Sequence, residues 1–174
     1  MSKSVRIRRG LNINLLGEAN KVYASVKNHY TYALKPTDFY GLTPKLNVKV
    51  GDKVLAGSIV FFDKYNEKIK FCSPVSGTIN DIIRGDKRKI LEIVINSDDE
   101  IIYESHKKID SKNISREEII ENMLSKGVWP FIRQKPYDII ANPNDIPKAI
   151  FISAFKSGPL AIDNDFALYG MDEL

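Results

Sequence analysis

One cysteine and two histidines stand among 174 residues: Cys72, His29 and His106. A single thiol cannot close an internal disulfide, and these three side chains have no ligand spacing to one another, so the chain contains no zinc, iron–sulfur or haem motif. Cys72 ends a strand-like alternation (Lys68, Ile69, Lys70, Phe71) and is expected to be a small buried hydrophobe. Long apolar runs are also missing. The longest mostly apolar stretch, Val54 to Phe62, is about half of the roughly 20 residues a membrane helix needs. The N-terminus lacks the apolar core of a signal peptide. The expectation is a cytosolic protein, or one held at a membrane by partners. There is no phosphate-binding Walker loop, no G-x-G-x-x-G and no nucleophile elbow.

What is present is an ordinary folding composition: 43% apolar and 28% charged residues allow a buried core and argue against disorder. The length suits one sizeable domain, or one small domain and part of another. Net charge is only +4, yet residues 1–90 carry +10 and residues 91–174 carry −6. Such asymmetry can serve an anionic partner, but spaced charges on strand faces are ordinarily solvated. The basic opening "SVRIRRG" has no interleaved aromatics or basic helix beside it, so nucleic acid is not an expected partner.

Along the chain, Val5 and Ile7 alternate with Arg6 and Arg8, and Val22, Ala24 and Val26 with Lys21, Ser25 and Lys27, both strand-like. Aromatics follow at Tyr30, Tyr32, Phe39 and Tyr40. From Pro44 to Asn96, short strands separated by Gly51-Asp52, Gly57-Ser58, Pro74 to Gly77 and Gly85-Asp86 predict a compact all-β module. "VKVGDKVLAG" and "TINDIIRGDKRKI" suggest two similar hairpins, and the Arg-Gly-Asp at Arg84 to Asp86 reads as a hairpin turn rather than an adhesion signal. After Asn96 the regime changes. Ser115 and Glu118 form a capping box for a helix to about Lys126, with Ile119, Ile120, Met123 and Leu124 on one face and Gly127 as stop. "AIFISAF", Ala149 to Phe155, is expected to be a strand buried on both faces. One such strand cannot bury itself, so the chain is expected to stop within a second domain.

Gly51, Asp52, Gly57, Ser73, Pro74 and Gly77 resemble the turn pattern of lipoyl and biotinyl carrier domains. The three glycines are expected at structural turns. In carriers the modified lysine lies eleven residues before the last glycine, which here is Asn66. An asparagine amide cannot take the lysyl linkage, while asparagine suits a tight turn. Lys64 and Lys68 lie two positions away, off the tip. The module is expected to have the carrier fold without the carrier's chemistry.

"TPKLNVKVGDKVLAGSIVFFDK…KIKFCSPVSGTINDIIRGDKRKI" and "GVWPFIRQKPYDIIANPNDIPKAIFISAFKSGPLAID" together resemble the N-terminal part of the A subunit family of bacterial sodium-translocating NADH:quinone oxidoreductases. The first segment also resembles the C subunit family of Rnf electron-transport complexes. Trp129, Arg133, Pro136, Ala149-Ile150-Phe151 and Pro159-Leu160-Ala161 favour the quinone reductase. The resemblance implies a peripheral subunit on the cytoplasmic side of the inner membrane, without a transmembrane segment of its own. It implies electron flow from NADH to ubiquinone or menaquinone coupled to sodium export. Flavins and iron–sulfur centres would reside in other subunits, and this chain would bind no cofactor itself.

On that reading Tyr32, Tyr40, Trp129, Phe131, Arg133 and Tyr137 are the candidate contacts to a quinone headgroup or partner subunits, supplying aromatic walls and hydrogen-bond donors. Filling the core is the ordinary alternative use of each. A stand-alone carrier-like binding or scaffold module is the competing function. The expected class is α+β. Residues 1–100 should form a β-rich domain containing the barrel-sandwich, carrier-like module at about 44–96. Residues 101–174 should hold a helix and the first strand of an incomplete, Rossmann-like α/β domain.

Overall fold

A computed structural model of the chain describes residues 15–17, 20–25, 29–107, 109, 113–153, 158 and 160–169. The expected strand at Val5 to Arg8 lies outside the described residues. Two compact units are present, Lys27–Ile146 and a smaller one made from Met1–Val26 with Pro147–Leu174.

The larger unit carries two antiparallel sheets. Strands β1 (Thr31–Leu34), β3 (Lys53–Val54), β6 (Gly77–Arg84) and β7 (Ile90–Ser97) form one sheet in the order β1-β7-β6-β3. Strands β2 (Pro44–Leu46), β4 (Ile59–Asp63) and β5 (Lys70–Cys72) form the other in the order β2-β4-β5. Both sheets contribute to one core, with Val54, Ile79, Ile93 and Ile95 from the first meeting Val60, Phe61 and Phe71 from the second. Full burial of an isoleucine such as Ile93 or Ile95 contributes about 1.5–3 kcal/mol. The α+β class with a leading β module is borne out.

Two bulges in the β6–β7 pair correct what simple alternation would say. In β6, Ile79 faces Ile95 and Asp81 faces Val94, leaving Asn80 as the extra residue. The extra residue turns Asp81 out to solvent and lets Ile82 pack on the core. A second bulge falls at Leu91, since Ile83 faces Glu92 and Arg84 faces Ile90. Ile90 thereby returns to the buried side.

The two Gly-Asp turns are not equivalent, contrary to the expected pair of similar hairpins. At the first, Asp52 accepts the Lys49 N–H on its carboxylate, and the following strand β3 pairs with β6, its distant partner in the chain. At the second, β6 and β7 are direct hairpin neighbours. After β7 the chain folds back over the module. Ile102 N–H donates to Ser76 Oγ, Ala56 N–H to Ile102 O and Glu104 N–H to Ala56 O. Ser76 is wholly buried; its hydroxyl accepts the Ile102 N–H and donates to Glu100 O, and its carbonyl accepts the Asp98 N–H.

Helix α1 (Arg116–Ser125) forms where the capping box placed it. Glu118 N–H donates to Ser115 Oγ, and Ser115 N–H donates back to Glu118 Oε2 at 2.9 Å. Leu124 is buried, with Ile120 and Met123 packed against the core beside it. Gly127 ends the helix at a φ of +69°, and a Cβ there would come within 2.5 Å of Cys72 Sγ, so glycine is required twice over.

In the smaller unit, Tyr23 stacks on Phe166 with ring centroids 4.9 Å apart and donates its hydroxyl to the Phe166 carbonyl. Lys21 pairs with Asp163, which caps the short helix α2 (Asn164–Ala167). The strand expected over Ala149 to Phe155 is not formed over 149–153, where Phe151 is 96% exposed; 154–157 lie outside the described residues. A strand buried on both faces needs flanking strands, and none of the described strands pairs with this run. The alternation at Lys21 to Ser25 likewise carries no strand.

Candidate functional site

The hairpin between β4 and β5 is where a carrier would present its lysine. The Asn66 N–H donates to Asp63 O, and Asn66 O accepts the Ile69 N–H at 2.9 Å, so the asparagine is held in the turn by its own backbone. Asn66 is half-buried, whereas Lys64 and Lys68 on either side are exposed. Glu67 at the same tip pairs with Lys45 at 3.0 Å. A shallow depression of about 210 Å³ lies between this tip and the end of α1, lined by Glu67, Lys68, Lys70, Glu121, Leu124 and Ser125. It is smaller than the roughly 300–1,000 Å³ of ordinary small-molecule sites.

The turn glycines differ in what they require. Gly51 and Gly57 have φ of +92° and +103°, the left-handed region where a side chain is strained. Gly77 opens β6 and is constrained by contact instead: a Cβ there would sit 2.0 Å from the Asn96 carbonyl oxygen. No flexible side chain can yield at that point, because the obstacle is backbone.

Cys72 is half-buried in β5. Burial above all pushes its thiol up, with Glu104 adding to the rise and Lys70 opposing it. A thiol held protonated is a poor nucleophile. Its place against Gly127 is one of packing.

A chain of aromatic rings runs from the core toward the surface. Phe61 stacks on Phe71 at 4.4 Å, Phe71 meets the edge of Phe39 at 4.8 Å, and Phe39 meets Phe131 at 6.3 Å. Phe39 follows the 3-10 turn Pro36–Asp38, and Phe131 ends the 3-10 turn Trp129–Phe131. The two aromatic segments of the sequence therefore meet through Phe39, which composition alone did not single out as the link. Phe131 is 74% exposed, and Tyr40, next to Phe39 in the chain, is exposed as well.

The remaining candidates are placed differently. Trp129 is buried in the core and donates its indole N–H to Ala141 O at 2.7 Å. Tyr32 lies in β1 opposite Ile95, half-buried against the core. Arg133 and Gln134 form β8 (Arg133–Gln134), paired with β9 (Ile139–Ile140). In the turn between them Arg133 donates to the Asp138 carbonyl and pairs with its carboxylate, which also accepts Lys135 Nζ at 2.8 Å. The hydrogen bond from Lys135 holds the Asp138 carboxyl below the usual range, with both nearby cations adding to the effect. Arg133 is thus engaged in fixing the turn that carries Tyr137, which is exposed. Sequence reasoning missed Asp138; an acid five residues after an arginine, across a proline turn, was the available signal.

Among the described residues no group of three or more His, Cys, Asp or Glu is arranged to hold a metal ion. No described helix is long and apolar enough to cross a membrane. Phe131, Tyr137 and Tyr40 are exposed aromatics: Phe131 shares a 3-10 turn with buried Trp129, Tyr137 sits in the turn held by the Arg133–Asp138 pair, and Tyr40 follows Phe39, whose ring meets Phe131. They offer contact area and phenol donors.

Residues 5–98 match the family model of the NqrA N-terminal barrel-sandwich hybrid domain, and residues 114–173 match that of the NqrA second alpha/beta domain. The chain is 35% identical over 161 residues to the Na(+)-translocating NADH-quinone reductase A subunit of Neisseria meningitidis serogroup A and 34% identical to that of Cellvibrio japonicus. In both, 91% of this chain aligns with 36% of the relative. For the A subunit of Marinomonas sp. (strain MWYL1) the figures are 31% identity over 165 residues, 94% of this chain and 37% of the relative. The chain spans little more than a third of the length of these relatives. With both domain models matched in order, the chain belongs to the NqrA family, the A subunits of the Na(+)-translocating NADH-quinone reductases.

Proposed function

We propose that this chain serves as part of a peripheral subunit of a sodium-pumping NADH:quinone oxidoreductase, on the cytoplasmic side of the bacterial inner membrane. The complex would pass electrons from NADH to ubiquinone or menaquinone and export sodium. The observation that carries this reading is the pair of family matches, 5–98 and 114–173, which leave little of the chain unassigned. The part played by these residues is contact and positioning. A lone, partly buried Cys72 and two histidines offer no ligand set for an iron–sulfur centre, and Asn66 removes the attachment point of a swinging arm. Flavins and iron–sulfur centres would then be held by the other subunits.

Within this reading Phe131, Tyr137 and Tyr40 form a rim that faces a partner subunit or the quinone headgroup. Large rigid aromatic rings contribute contact area at low cost in conformational entropy, and they are enriched where partners bind. Trp129 and Arg133 act from beneath, by holding the segment in place. The test uses the assembled complex carrying Phe131→Ala, Tyr137→Ala or both, with a photoreactive quinone analogue and NADH:quinone turnover as readouts. The double variant is expected to lose assembly or labelling. Wild-type assembly, labelling and turnover in all three would remove the rim from the site. The same measurement separates a redox subunit from a stand-alone scaffold, which would neither assemble nor take the label in any form.

A further inference from the structure

The β6–β7 hairpin extends past the sheet that holds it. β3 pairs with β6 only at Gly77 and Thr78, and β1 pairs with β7 from Ile93 to Asn96. From Ile83 and Glu92 outward the two strands have, among the described residues, only each other as strand partners. At the end of this arm Asp86, Lys87, Arg88 and Lys89 are all exposed, as is Arg84.

The turn has an unusual sequence for its shape. Lys89 N–H donates to Asp86 O, and the two residues between them, Lys87 and Arg88, both have positive φ, +55° and +61°. That is a type I′ turn, whose central positions favour Asn and Gly because at positive φ the Cβ of other residues crowds the backbone carbonyl. Asparagine and glycine would relieve that strain, and two cations stand in their place. Strain of this kind points to a use for the side chains rather than for the backbone.

The surroundings leave the charge uncompensated. Among the described residues no carboxylate forms an ion pair with Arg84, Lys87, Arg88 or Lys89; Arg84 donates to the Arg88 carbonyl at 3.3 Å. Asp86 is the one acid in the turn, and Glu92 at the arm's base is paired with Lys35 at 3.1 Å. Asp38 belongs to the 3-10 turn that lies beside β7. The tip carries no aromatic side chain, while Ile83 is exposed just behind it. A protein partner is gripped chiefly through aromatic anchors, which this tip lacks. A flat sheet of phosphate groups needs none, only several cations that reach it together.

We propose that this basic arm docks on an anionic phospholipid surface through Arg84, Lys87, Arg88 and Lys89. Such docking depends on the arm's own geometry and charge, and it holds whether or not the chain assembles into a reductase.

The test is co-sedimentation of the 174-residue chain with vesicles of equimolar phosphatidylcholine and phosphatidylglycerol, against phosphatidylcholine alone. The chain is expected to sediment with the anionic vesicles only and to be released by added salt. K87N/R88G restores the residues the turn favours, so it should melt higher than wild type while binding about thirtyfold more weakly. K64Q/K68Q removes the same charge from the β4–β5 tip and should bind like wild type. A K87N/R88G protein that binds like wild type overturns the proposal. So does equal weakening by K64Q/K68Q, which would mean net charge alone, or binding to phosphatidylcholine. Preference for polyglutamate over the anionic vesicles would assign the arm to an acidic protein instead.

Discussion

Two apolar runs of similar length have opposite fates in this chain. Ile59 to Phe62, in the larger unit, lies between β2 and β5, and Val60 and Phe61 vanish from solvent. Ala149 to Ser153, in the smaller unit, is also mostly apolar but has no described strand beside it, and Ile150, Phe151 and Ile152 stand exposed. The difference lies in partners rather than in residue type. Apolar side chains stabilise a strand only when neighbouring strands meet its backbone hydrogen bonds and another layer covers its face.

A pair of identical truncations, one in each run, challenges this contrast most strongly. Phe61→Ala should cost about 4 kcal/mol, because the ring is 1% exposed and stacked on Phe71. Phe151→Ala should change stability by less than about 0.5 kcal/mol. Urea unfolding of both measures the contrast, and similar losses would mean that Phe151 is covered in solution.

A somewhat smaller effect is expected at Gly77. Gly77→Ala drives a methyl into the Asn96 carbonyl and should cost about 3 kcal/mol. Gly41→Ala, at φ +78° with no atom within 4 Å, should cost only about 1 kcal/mol. Equal melting temperatures for the two variants would show that the close approach of β6 to β7 is not maintained.

Smaller again is the helix cap. Ser115→Ala should cost about 1 kcal/mol by removing the acceptor for the Glu118 N–H. The Glu118 carboxyl is held below its ordinary range by the Ser115 backbone N–H first and by its hydroxyl second. A depressed folded pKa stabilises above the unfolded value and loses that effect as pH falls through the folded one. Helix stability should therefore decline on acidification below the ordinary glutamate range. Carbon-detected titration of Glu118 should move partway toward that range in Ser115→Ala, which keeps the backbone N–H; an unmoved titration would show that the Ser115 hydroxyl does not bond Glu118.

The sequence made the local elements legible where one residue type has one use. The capping box at Ser115 and Glu118, the stop at Gly127 and the turn at Asn66 all read directly. Bulges did not, because a sequence such as Thr-Ile-Asn-Asp-Ile-Ile gives no sign that Asn80 is skipped in pairing and Asp81 therefore points outward. Partner-dependent features were equally hidden. Trp129 read as a candidate contact, but its indole N–H finds a carbonyl twelve residues on at Ala141. Arg133 read as a free donor, and Asp138 holds it. Phe39 joins the two aromatic segments only because Pro36–Asp38 and Trp129–Phe131 are brought together in the fold, a relation that no spacing encodes.

Membership in a working sodium-translocating reductase is the claim on which the functional reading depends. Deleting the gene for this chain in its host and assaying membrane vesicles for sodium-stimulated NADH:quinone turnover addresses it most directly. The stimulation should vanish and return with the wild-type gene. Undiminished sodium-stimulated turnover in the deletion strain would contradict that membership.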